Sequence, residues 1–136
     1  MLQPQIRTFG PNPITVAGTV TGLPMTRFDG MLALTVQASV TGYASGGTTI
    51  DLYLQTSLDS GVTWQDVANF HWTTANAVKN RNLSKLTPQV TDKTPGSLAL
   101  TASTSVDGIF GDQFRWVIVS VGTYVGPILT ATLIPS

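Results

Sequence analysis

Cysteine and glutamate are both absent from the 136 residues, histidine occurs once, and only 10% of the chain is charged. Without cysteine there are no structural disulfides, cysteine-zinc sites or thiol nucleophiles. The lack of glutamate, with few lysines, leaves the chain short of good helix formers. A charged fraction far below the ~25% of ordinary soluble domains implies a surface covered by a partner or by further copies, or one solvated by Thr, Ser, Asn and Gln instead. Acidic and basic residues balance to a net charge of zero. That argues against nucleic acid, which requires a cationic footprint, and against attachment to anionic membranes. No apolar run approaches the ~20 residues that span a bilayer. The first five residues carry neither a basic nor an apolar leader region, so no signal peptide is expected and synthesis is placed in a cytoplasm.

What is present points to pleated structure. Threonine is the most abundant residue and, with valine, favours half-buried strands. The length suits one domain, which at this size buries roughly two-thirds of its unfolded surface without staples. Residues 1–13, with Pro4, Pro11 and Pro13, read as an extended arm at an edge or outside a sheet, because proline cannot donate to a ladder. The domain proper is expected over 14–136. Alternation predicts strands over 14–20, with Ile14, Val16 and Val20 inward, and over 31–40, with Leu32, Leu34, Val36, Ala38 and Val40 inward. Further strands are expected over 48–56 (Ile50, Leu52 and Leu54 inward; Asp51, Tyr53 and Gln55 outward), 63–72, 78–86, 97–103 (Leu98 and Leu100 inward), 113–121 and 128–134. Trp116-Val117-Ile118-Val119 is apolar on both faces, which places its strand centrally. About eight or nine antiparallel strands make an all-β fold, a β-sandwich or jelly roll.

Chemistry-bearing constellations are sparse. His71 has no second histidine beside it, so a transition-metal site would need aspartates from distant strands. No serine stands in the Gly-x-Ser-x-Gly elbow of a nucleophile. Most aspartates adjoin Gly or Ser at expected turns, where such side chains bond the backbone. No catalytic residue, cofactor or metal is expected, and the chain reads as non-enzymatic. Arg115, between Phe114 and Trp116, projects from the opposite face and is expected to find Asp112 or Asp51. Lys79, Arg81 and Lys85 form a small basic cluster.

The sharpest local signal is Ser57-Leu58-Asp59-Ser60-Gly61-Val62-Thr63-Trp64. Asp59 can accept from turn N–H groups, Gly61 supplies a positive φ, and Trp64 packs over the returning strand. The stretch resembles the Asp-box hairpin of sialidase-like propellers, where it stabilises a turn remote from catalysis. One copy in so short a chain implies a hairpin, with Ser57, Asp59, Gly61, Thr63 and Trp64 as structural residues. In an unbroken strand Trp64, Asp66, Ala68, Phe70 and Trp72 share a face, which reads as core. The competing reading is an aromatic platform of Trp64, Trp72 and Tyr53 that stacks on sugar rings.

A wider resemblance builds on the same region. Ile50-Asp51-Leu52-Tyr53-Leu54-Gln55-Thr56-Ser57, then Asp59-x-Gly61-x-Thr63-Trp64-x-Asp66-Val67-Ala68-Asn69-Phe70, resembles small β-sandwich virion proteins of tailed bacteriophages. Gly111-Asp112-Gln113-Phe114-Arg115-Trp116 and Gly122-Thr123-Tyr124 look like the second half of that pattern. The resemblance implies a capsid decoration or cement protein that binds and stabilises the major capsid protein. Such a protein is made in the host cytoplasm and sits at the virion surface as a homo-oligomer, without nucleic-acid or membrane partners. Candidate capsid contacts are then Gln3, Pro4, Gln5, Ile6 and Arg7 of the arm, with Lys79, Arg81 and Lys85. A head–tail or tail-surface component and a carbohydrate-binding module are the alternatives.

Overall fold

Ten strands follow one another in the computed structural model, which describes residues 5–28, 30–93 and 96–136. In chain order they are β1 (Arg7–Pro13), β2 (Gly18–Thr21), β3 (Ala33–Thr41), β4 (Ser45–Gly46), β5 (Thr49–Ser57), β6 (Gln65–Trp72), β7 (Ala77–Ser84), β8 (Gln113–Val121), β9 (Tyr124–Val125) and β10 (Ile128–Pro135). Sheet 1 has the order β1-β10-β3-β7 and sheet 2 the order β2-β8-β5-β6, with every pairing antiparallel. The short pair β4-β9 closes one end. The fold is an all-β sandwich. Among the described residues no helix is long and apolar enough to cross a membrane.

Strict period-two alternation explains the inner faces. Leu34, Val36, Ala38 and Val40 of β3 and Leu129, Ala131 and Leu133 of β10 meet Ile50, Leu52 and Leu54 of β5 and Phe114, Trp116 and Ile118 of β8 in one buried cluster. A fully buried leucine in such a cluster contributes roughly 2 kcal/mol. β8 lies between β2 and β5, as its two-faced apolar stretch requires: Val117, on the side away from the cluster, is only 2% exposed.

Four expectations change. The arm boundary at residue 13 moves, because Arg7–Pro13 pairs with β10 and forms the edge strand of sheet 1. Its prolines sit on an edge, where a missing N–H costs little. Residues 14–20 do not form one alternating strand. Only Gly18–Thr21 pairs, with β8; Ile14 is buried, while Val16 and Val20 are exposed. Leu32 precedes β3 and is half exposed. Finally, 97–103 is not a strand and Leu98 is 37% exposed. That segment runs along the outer edge of β6: Asp66 and Asn69 donate their N–H groups to the Gly96 and Thr104 carbonyls, and Val106 donates to Val67.

The β5–β6 hairpin contains a bulge that reorders its outer half. Leu54 pairs with Ala68, but Gln55 pairs with Asp66, leaving Val67 as the extra residue. Each bulge shifts the alternation by one. Phe70 and Trp72 remain in the core, whereas Asp66 moves to the outer face with Gln55, and Trp64 leaves the core row expected for it.

Candidate functional site

The Asp-box hairpin is built by local hydrogen bonds. Asp59 accepts from the Thr63 N–H at 2.8 Å and the Thr63 hydroxyl at 2.6 Å, and from the Ser57 hydroxyl at 2.8 Å. Ser57 Oγ in turn accepts from the Gly61 N–H at 2.8 Å. Ser60 and Gly61 both adopt positive φ, at 57° and 92°. The Trp64 indole N–H donates back to the Gly61 carbonyl at 3.2 Å. Thr63, through its hydroxyl and its N–H, holds the Asp59 carboxyl at about 2, below its usual 3.8. These donors stabilise the anion specifically. Gly111 passes so close that a Cβ there would collide with the Ser57 carbonyl oxygen, and its N–H donates to Thr56 Oγ1. The five residues singled out in the sequence thus form one turn.

From this turn a polar network crosses the outer face of sheet 2. The Arg115 guanidinium lies 4.3 Å from the centroid of the Trp64 ring, and its Nε–H donates to Gln55 Oε1 at 2.8 Å. Gln55 donates to both Asp66 Oδ1 and Ser97 Oγ at 2.8 Å. Asp66 also accepts from three successive N–H groups, those of Leu98, Ala99 and Leu100, at 2.8–3.0 Å. Wrapping three amides around one carboxylate requires a curled backbone, and Leu98 has φ 60°. That geometry is why 97–103 is not extended. Arg115 is expected from the sequence to find Asp112 or Asp51; it donates instead to Gln55, which donates in turn to Asp66, and burial lowers its pKa. The face continues with Asp51, which accepts from His71 Nδ1 at 2.8 Å and Asn69 Nδ2 at 3.1 Å. Asn69 Oδ1 accepts from the Ser103 N–H. Beside them Tyr53 is 8% exposed. Burial, followed by the charge of Asp51, pushes its phenol up.

The candidate basic contacts are placed by strand register. Arg81 pairs with Val36 and Lys79 with Ala38, so both face inward along the open side of the sandwich. The Arg81 guanidinium lies 4.4 Å from the Phe70 ring centroid and donates to the Asn69 and Thr104 carbonyls; Lys79 lies 5.5 Å from the Trp72 ring. At the opposite edge Arg7 pairs with Leu133, lies over Phe28 and donates to the Thr26 carbonyl. Arg7, Lys79 and Arg81 therefore shield aromatic core edges, each such contact being worth about 0.5–2 kcal/mol. Lys85 is exposed, as are Gln5 and Ile6, while Gln3 and Pro4 lie outside the described residues.

With those cations turned inward, the outer face of sheet 1 carries no ionisable group on its four strands. Register aligns Thr8, Thr132, Gln37 and Asn80 across all four. Flanking rows hold Ile134, Thr35 and Asn82 on one side, and Thr130, Ser39 and Val78 on the other. The sequence held a signal for this face that the reading missed: the polar half of the alternation in β3 and β10 is itself uncharged. What this arrangement offers chemically is hydroxyls, amides and methyls for close packing. No known protein family, curated protein or solved structure matches the chain.

Proposed function

We propose that this chain is a non-enzymatic structural protein of a tailed-phage virion, a capsid decoration protein that docks on the major capsid protein through the outer face of sheet 1. The observation that carries the reading is the absence of any ionisable side chain from the outward positions of β1, β10, β3 and β7. Burying such a face against another protein strands no charge, and depletion of charge marks the centre of protein interfaces. The resemblance of the 50–70 and 111–124 stretches to phage virion proteins supports the same reading. So does the employment of aspartates in holding backbone: Asp59, Asp66 and Asp107 each accept from main-chain N–H groups. Ile6, 64% exposed and just ahead of edge strand β1, extends the same surface, with Gln5 beside it. Bridging several capsid subunits makes later contacts intramolecular, so individually modest contacts suffice.

Co-sedimentation with expanded capsids tests the proposal. Wild-type protein is expected to pellet with the shells and raise their thermal resistance; Gln37→Lys is expected to remain in the supernatant. Deleting residues 1–6 tests Gln3, Pro4, Gln5 and Ile6 together and spares β1, which a deletion through residue 13 would remove. Occupancy unaffected by Gln37→Lys removes sheet 1 from the docking mechanism. A carbohydrate-binding reading draws on the position of Trp64 outside the core, although Arg115 already covers one ring face. Under that reading Trp64 fluorescence shifts with a glycan panel, and Trp64→Ala abolishes the shift.

A further inference from the structure

Three of the four sheet edges are guarded. β1 carries Pro11 and Pro13 and an irregular register between Phe9 and Asn12. Along β6 runs the 96–106 segment, bonded to its backbone. β7 carries Lys79 and Arg81, and lysine or arginine on an edge opposes further pairing. β2 has none of these devices. Gly18, Thr19, Val20 and Thr21 are all exposed, and among the described residues β8 is the only strand paired with them. An edge of this kind is a template for another strand.

The local geometry says which groups are free. The Gly22 N–H donates to the Trp116 carbonyl, and the register continues through Val20–Ile118 to Gly18–Ser120. Bonding alternates along an antiparallel pair, so Gly22, Val20 and Gly18 face β8 while Thr19 and Thr21 point their N–H and C=O groups away from it. Val20 shares the side of buried Ile118 yet is 52% exposed, at the mouth of an open cleft of about 350 Å³ between β1 and β2. Val16, 67% exposed, lines the same cleft. Residues 8–26, which contain the strand, include no ionisable side chain.

We infer that β2 is a homodimerisation edge, pairing antiparallel with β2 of a second copy about a two-fold axis through Val20. Under that operation Thr19 exchanges both backbone hydrogen bonds with Thr21 of the other copy, and Thr21 does the same with Thr19. Four hydrogen bonds form, and Val20 meets its own counterpart in the close, non-hydrogen-bonded position. The two clefts then lie side by side, and contact between the Val20 side chains takes apolar surface out of water. A second copy is the occupant because the edge is its own complement. The strand is palindromic in what it offers (Thr, Val, Thr), a two-fold contact is isologous, and an uncharged edge meets itself without repulsion. The product joins two copies of sheet 2 into one eight-stranded sheet, and the outer faces of sheet 1 remain free. This inference is independent of the capsid reading.

Sedimentation equilibrium of the purified full chain, without capsids, tests it. Wild type is expected to reach twice the 14.4 kDa chain mass as concentration rises. Thr21→Pro removes one outward N–H and none directed at β8, so the fold persists while the dimer dissociation constant rises about tenfold or more. Val20→Lys, which places charge at the two-fold, is expected to leave a monomer. Val78→Lys, on the outer face of sheet 1, is expected to leave the dimer intact. A wild type that stays monomeric overturns the inference, as does a dimer that survives Thr21→Pro and Val20→Lys or dissociates on Val78→Lys. Circular dichroism of each variant separates loss of pairing from loss of fold.

Discussion

Gln37 and Gln55 are both outward-pointing residues on inner strands of their sheets, and their surroundings are opposite. Gln37, on β3, stands in solvent between Thr132 and Asn80. Gln55, on β5, is fully buried, with its amide donating to Asp66 and Ser97 and accepting from Arg115. The difference arises outside both strands. The excursion between β7 and β8 folds back along β6 and straps the outer face of sheet 2, whereas nothing among the described residues covers sheet 1. Ionisable side chains on the outer faces follow the same division: Arg115, Asp51, Asp66 and His71 belong to the covered face, and the outward positions of sheet 1 have none. One outer face is therefore an extension of the interior, and the other is available for contact.

Asp66→Ala tests the covered face most severely. It removes an acceptor of four hydrogen bonds, three of them from backbone, and leaves Gln55 buried with an unmatched donor. A loss of about 3–4 kcal/mol is expected in urea unfolding, with new protease cleavage within 97–104. A loss below about 1 kcal/mol contradicts the role given to this carboxylate. The Arg115–Trp64 contact is a smaller element of the same face. A double-mutant cycle using Arg115→Met and Trp64→Leu is expected to return a coupling of about 1 kcal/mol.

The hairpin at the end of sheet 2 adds a pH signature. The Asp59 carboxyl titrates at about 2 in the folded chain against 3.8 ordinarily, so its contribution is present above pH 4 and is lost as pH falls from 4 towards 2. Thermal melts of wild type and Asp59→Asn should therefore differ at pH 6 and draw together as pH falls through 2. Because this side chain is solvent-exposed, the gap at pH 6 is expected to be smaller than that of Asp66→Ala. A gap that stays constant across that window excludes the Thr63 donors as its origin.

Legibility in the sequence followed range. β3 and β5 could be read because period two is a local property, and their buried leucines and valines all fall in phase. The Asp-box was equally legible, since its bonds join residues two to four apart. By contrast, Asp66 and Leu100 are 34 residues apart. Nothing local in 97–103 announces a carboxylate waiting across the sheet edge, so two leucines at alternate positions imitate a strand. The bulge at Val67 was hidden for a similar reason, because a bulge is a property of a pair of strands. The direction of two cations was legible as well. Lys79 and Arg81 alternate in phase with buried Leu83, which puts them on its face, while Lys85, the third member of the basic cluster, lies beyond the strand and is exposed.

The smallest expected effect on stability is the sharpest test of the open face. Gln37 contacts solvent, so Gln37→Lys exchanges one exposed polar side chain for another on an intact strand, and unfolding should change by no more than about 0.5 kcal/mol. The same substitution at Gln55 buries an ammonium beside the Arg115 guanidinium and removes the amide oxygen that accepts from Arg115 Nε; it is expected to cost several times as much, about 3 kcal/mol or more. Docking reverses the ranking. A lysine at the centre of an otherwise uncharged face must be desolvated without a partner when another protein covers it, so binding falls while the free protein stays as stable as before. Equal binding by wild type and Gln37→Lys, at equal stability, leaves the uncharged face without a function in contact. Loss of binding at preserved stability assigns it one.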